Sequence, residues 1–176
     1  MSEKLPSRQE ALSFLSRNGC SAKVIKHCEA VAACAVEIAW KLREKGLNID
    51  VDLVEIGALL HDVGRSRTHS VNHAVVGAEI AKKAGMPEKV VNIIKRHVGG
   101  GITQEEAENL GWPKDVYTPQ TLEEKIVCYA DKLTGDAKQI PIEWTMTQLS
   151  KEHKNGAAER VKKLHEEIRS LLGETA

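Results

Sequence analysis

Apolar residues recur at helical spacing along most of the chain, and polar caps and glycines cut that pattern into segments. The longest stripe is Val24, Cys28, Val31, Ala35, Ile38 and Leu42, at steps of three or four residues. Ser21 stands before it and Gly46 after it, which predicts one long helix with a side-chain cap and a glycine stop. The capping box Ser7-Arg8-Gln9-Glu10 predicts a shorter helix from Ser7 to about Asn18, stopped by Gly19. Further helices are expected from Val51 to Val63 and from His73 to Ala84, the second capped by Asn72 and stopped by Gly85. Another runs from Pro87 to about His97 and breaks at Gly99-Gly100-Gly101. Two more capping boxes, Thr103 with Glu106 and Thr121 with Glu124, predict a short helix ending near Gly111 and one running to about Gly135. A charged amphipathic helix is expected from Gly156 to Leu172, packing Val161, Leu164, Ile168 and Leu171 on its own domain. Only Ile140 to Met146 alternates like a strand. Pro141 weakens that reading, and a loop leading into a helix fits equally well. The fold class expected is all-α, a helical bundle.

At 176 residues the chain suits one domain, with a core over about 21–135 and a helical C-terminal extension over 136–176. Aromatic residues are only 3%, so the core must be aliphatic. Lys and Arg number 25 and Asp and Glu number 25, and this zero balance argues against bulk nucleic-acid binding, which needs a basic face. No apolar run approaches the ~18–20 residues of a membrane span, and the first residues lack a secretory pattern. A cytoplasmic protein without membrane association is expected. Cys20, Cys28, Cys34 and Cys128 form no CxxC pair and read as reduced, buried small hydrophobes.

The histidines change the picture. His27 lies beside the long stripe, and His61 follows Val54, Gly57 and Ala58 at helical steps. His73 opens the series Val76, Gly77, Ile80, Ala81 and Ala84, whereas His97 closes Val90, Ile93 and Ile94. Asp131 sits three and four residues beyond Cys128 and Val127. Any one buried histidine usually just finds a hydrogen bond. Four histidines and two aspartates on inner faces are hard to satisfy without a shared cation. Imidazole with carboxylate suits Zn, Fe, Mn or Ni better than Ca. Neighbours on a helix point about 100° apart, so His61 and Asp62 reach one centre only near a helix end. Val63-Gly64 supplies that end, with Gly64 free to take a positive φ.

His27, His61-Asp62-Val63-Gly64 and Asp131 in Tyr129-Ala130-Asp131-Lys132-Leu133 resemble the HD-domain metal-dependent phosphohydrolases, in the HDIG form with Val for Ile. His73 and His97 look like the two further histidines of the two-metal branch. The likeness covers about residues 23 to 135. It implies about five core helices and one or two divalent transition-metal ions. His27, His61, Asp62 and Asp131 would hold one ion, and Asp62, His73 and His97 the other. Val98 stands where some two-metal members have another histidine, and Arg65 where many have lysine. The GYP element is missing, which removes support for the cyclic di-GMP branch.

Arg65, Arg67, Lys95, Arg96 and Lys132 put positive charge near the expected site, each either a phosphate contact or a solvated helix end. Asp62 and Arg65 are the expected catalytic residues, with Arg65 and Arg67 binding substrate. His69 reads as an extra ligand, a proton donor or, more commonly for a loop histidine, an exposed side chain, while His153 and His165 are expected to face solvent. Gly99-Gly100-Gly101 reads as a flexible loop ahead of a phosphate nest. The leading expectation is hydrolysis of a phosphate ester or anhydride, of a nucleotide, by metal-bound hydroxide. An HD-type di-iron oxygenase has the same ligand order. A non-catalytic nucleotide-sensing module with a structural metal is the third reading.

Overall fold

The computed structural model describes residues 4–152 and 154–174. Nine α-helices are found among them: α1 (Arg8–Arg17), α2 (Ala22–Glu44), α3 (Val51–Leu60), α4 (His73–Lys83), α5 (Glu88–Lys95), α6 (Gln104–Asn109), α7 (Leu122–Lys132), α8 (Ile142–Lys151) and α9 (Asn155–Leu171). Short 3-10 turns occupy Val63–Ser66 and Val98–Gly100, and the described residues form no strand beyond two isolated bridges. The all-α class holds. None of the helices is long and apolar enough to cross a membrane.

α3 explains the layout. Val51, Leu53, Val54, Ile56, Ala58, Leu59 and Leu60 are all buried, so this helix is apolar around nearly its whole circumference. A helix of that kind must be surrounded: α1, α2, α5 and α7 pack against it. Its C-terminal end therefore lies inside the molecule. The expected stripe of α2 is buried throughout, and the four cysteines are free and buried.

Some local expectations change. Gly64 does not have a positive φ. Its glycine is required by a close approach: a Cβ there would overlap the His73 carbonyl and lie 2.7 Å from the Gly77 nitrogen. Asn72 makes no cap for α4, because its side-chain oxygen accepts from Trp112 Nε1 at 2.8 Å. Thr121 caps α7, but Glu124 does not complete a box; its carboxylate is taken by Arg96 and by the Gln120 N–H. The segment that alternates becomes α8, opened by Pro141, with Ile142 its one buried residue. His165 is half-buried, its Nδ1 bonded to the Tyr129 hydroxyl at 2.6 Å, and His153 lies outside the described residues.

The C-terminal helix packs on the bundle. Val161, Leu164 and Ile168 of α9 are buried, and the helix lies against α7, α8 and the Val98–Gly100 turn. Arg160 Nε donates to the Gly101 carbonyl at 2.9 Å. A Cβ on Gly100 would stand 3.0 Å from the Val161 nitrogen. This triglycine is thus a turn clamped under a helix, neither a loose loop nor an anion nest.

Candidate metal centre

Five elements deliver the six expected ligands to one place. His27 lies in the second turn of α2 and His61 caps the end of α3, with Asp62 next in the chain. His73 is the first residue of α4, His97 follows the end of α5, and Asp131 is in the last turn of α7. His61, Asp62, His73 and His97 are buried. A buried carboxylate among imidazoles is costly unless each group has a defined partner.

The imidazoles are oriented by main-chain carbonyls. His61, His73 and His97 each donate Nδ1–H to the carbonyl three residues earlier, Ala58 (2.6 Å), Ser70 (2.7 Å) and Ile94 (2.7 Å). His27 Nδ1 donates to the carbonyls of Gly135 (2.8 Å) and Asp136 (2.9 Å). A carbonyl oxygen can only accept, so Nδ1 carries the proton in all four rings and a neutral ring presents a lone pair at Nε2. That tautomer suits a metal ligand.

The four Nε2 atoms converge on the aspartates. Asp62 divides its oxygens between two pairs: Oδ1 is 3.2 Å from His73 Nε2 and 3.3 Å from His97 Nε2. Its Oδ2 is 3.5 Å from His61 Nε2 and 3.6 Å from His27 Nε2. Asp131 Oδ1 faces the second pair as well, 3.0 Å from His27 and 3.3 Å from His61. There are thus two adjoining donor sets, an inner one (His73, His97, Asp62) and an outer one (His27, His61, Asp131, Asp62). In the inner set the two Nε2 atoms stand 3.1 Å apart, where two lone pairs would oppose each other. His61 Nε2 is buried without a hydrogen-bond partner. An orphaned, correctly oriented nitrogen and a facing pair of acceptors both fit a divalent cation shared among these residues. The nitrogen-and-carboxylate donor set agrees with a transition metal.

Burial opposes charge on Asp62, yet His61 first and the facing rings of His73 and His97 next hold its carboxyl well below the usual carboxylate range. Burial likewise opposes charge on Asp131, which Lys132 and the contacts with His27 and His61 hold well below that range. His61 is pushed well above an ordinary histidine, because Asp62 outweighs its complete burial. Burial dominates at His97, which falls to about 4.

A cavity of about 420 Å³ reaches the outer set, lined by His27, Asp62 and Asp131 together with Arg65, His69 and the first turn of α2. Arg65 is held beside the centre, with Nε 3.4 Å from Asp62 Oδ2 and Nη1 donating to the His69 carbonyl at 2.9 Å. None of the other expected cations lines this cavity. Arg67 donates to the Asn18 carbonyl and is absent from the cavity wall. Lys95 pairs with Asp115 at 2.7 Å and Arg96 with Glu124 at 2.8 Å, both on the α4–α5 side. Lys132 is enclosed against Asp131. The carbonyls of Gly135 and Asp136 that orient His27 left no trace in the sequence, since every residue has one.

The fold and site together define an all-α domain built around a histidine–aspartate centre. The chain belongs to the HD domain family, whose sequence profile matches residues 24–136. An uncharacterized protein of Methanocaldococcus jannaschii is 46% identical over 93% of this chain and 98% of its own length. A tRNA (cytidine(56)-2'-O)-methyltransferase of Thermoplasma volcanium is 40% identical over 97% of this chain, which spans about half (49%) of that enzyme's length. Ribonuclease Y of Acidothermus cellulolyticus is 35% identical over 64% of this chain and 19% of its own. Among solved structures, the HD domain of the L. monocytogenes phosphodiesterase PgpH, in complex with cyclic-di-AMP, superposes with a TM-score of 0.55 at 20% identity, over 93% of this chain and 95% of that one. That likeness is one of fold.

Proposed function

We propose that the protein is a metal-dependent phosphohydrolase that cleaves a phosphate ester or anhydride, with a nucleotide as its substrate class. One observation carries this reading. Four carbonyl-locked imidazoles and a divided aspartate form two adjoining donor sets, and a cavity bearing a guanidinium opens onto one of them. The family supports it, as does the kinship of fold with a phosphodiesterase domain seen with a cyclic dinucleotide.

His27, His61, Asp131 and Asp62 Oδ2 would hold one divalent ion, and His73, His97 and Asp62 Oδ1 a second. Bound ions of this kind lower the pKa of water and polarise a phosphoryl oxygen. The chain's own residues supply the rest. Asp62 fixes the spacing of the two sets through a single carboxylate. Arg65, steadied by Asp62 and the His69 carbonyl, holds a phosphoryl oxygen of the substrate and offsets the charge that grows there. Residues 136–176 we take as part of the same domain, buttressing the turn after His97.

The test combines metal content with turnover. Protein purified without chelators is expected to carry about two transition-metal ions per chain. It is expected to hydrolyse at least one compound from a panel of nucleoside di- and triphosphates, dinucleoside polyphosphates, cyclic dinucleotides and short RNA, at the same rate with and without oxygen. Asp62→Ala should abolish both. A rate that requires oxygen would transfer the site to the oxygenase reading. A fully loaded protein that is inert on the whole panel would sink hydrolysis.

A further inference from the structure

Lys132 is enclosed beside the centre, its side chain 11% exposed, and it lines no part of the cavity. Its ammonium has two acceptors: Asp131 Oδ2 at 2.7 Å and the His97 carbonyl at 3.0 Å. Cys128, one turn earlier on the same face of α7, aims its thiol at that same carbonyl from 3.3 Å. Residues four apart on a helix are neighbours, so α7 grips the chain at His97 with two side chains and presents Asp131 between them. The carboxylate of Asp131 is consequently split. Oδ2 is occupied by the ammonium, and Oδ1 alone faces His27 and His61.

We propose that Lys132 is a positioning residue for the centre: it holds Asp131 so that one oxygen only is offered to the outer set, and it ties the backbone of His97 to the same helix. The proposal rests on the metal-dependent reading above. Its physical sign can be separated from that of simple charge. A cation placed beside a cation site repels the ion, so if Lys132 acted by charge alone its removal would tighten metal binding. Positioning has the opposite sign, because losing an orienting partner typically weakens metal affinity by about 10–100-fold.

The experiment is Lys132→Met in the full chain, titrated with Co(II) against a fluorescent chelator, with the visible Co(II) spectrum recorded at saturation. The expected result is about tenfold weaker binding of the more loosely held ion, together with an altered Co(II) spectrum as the second oxygen of Asp131 becomes available to the metal. Unchanged or tighter binding with an unchanged spectrum overturns the positioning role while leaving the metal site intact. Wild-type protein that binds no Co(II) overturns the site and the role together. If the Met variant loses its helical circular dichroism, Lys132→Gln, neutral and of similar bulk, is read by the same two criteria.

Discussion

The outer and inner halves of the centre use the same side-chain types but are built differently. In the outer half His27 and Asp131 are 18% and 16% exposed and border the cavity. His27 is oriented from outside its own helix, by the carbonyls of Gly135 and Asp136. In the inner half His73 and His97 are 5% and 2% exposed, each folded back on a carbonyl of its own segment. The surroundings there are closely packed: the Gly64 backbone abuts the start of α4, and α9 packs on the turn after His97. The same side-chain types thus stand in two settings. On the proposed reading, an ion in the outer half would border the cavity, whereas one in the inner half would be more deeply enclosed.

The largest effect is expected where the inner half touches backbone. Gly64→Ala drives a methyl group into the His73 carbonyl, so it should cost about 3–5 kcal/mol of folding stability or prevent an ordered fold, as measured by urea denaturation. A stable Gly64→Ala protein would mean that the inner half is softer than described. Next comes metal release. Excess chelator should strip the wild-type protein in two phases, the slower by about tenfold or more, since roughly 1.4 kcal/mol of local opening is a factor of ten. His27→Ala should remove the fast phase and His97→Ala the slow one. A single phase would erase the distinction between the halves. The smallest effect concerns the buttress. Arg160→Ala loses the bond to Gly101 and the 2.7 Å pair with Glu106, for about 1–2 kcal/mol in urea denaturation, and should speed the slow phase while leaving the fast one unchanged.

Much of this was legible in the sequence because helices announce themselves locally. Ser7 and Ser21 cap where expected, and the 3.6-residue period placed the α2 stripe in the core. Five of the six inward groups were readable for the same reason, since each keeps step with its own helix's apolar face, whereas Asp62 was legible only as the neighbour of His61 at a helix end. What failed depended on contacts across the chain. Glu124 reads as a capping partner until Arg96, 28 residues away, claims its carboxylate. Asn72 reads as a cap until Trp112 takes its oxygen. Gly64 is needed for a neighbouring backbone rather than for its own torsion, and nothing nearby in sequence signals that. α8 hid its period because it buries only Ile142. The basic residues were the least legible, since Arg and Lys look alike whether they meet a substrate, a carboxylate or solvent.

The grip of α9 on the Val98–Gly100 turn bears on how such domains can be cut and recombined. The recurring family segment ends at residue 136 and already contains every residue assigned here to the centre. A fragment trimmed to that limit would keep the whole ligand list but lose Val161 against Gly100 and Arg160 on Gly101. The inheritable unit and the mechanical unit therefore have different boundaries. A graft, a fusion or a shuffled gene that respects only the first would carry the chemistry without its scaffold.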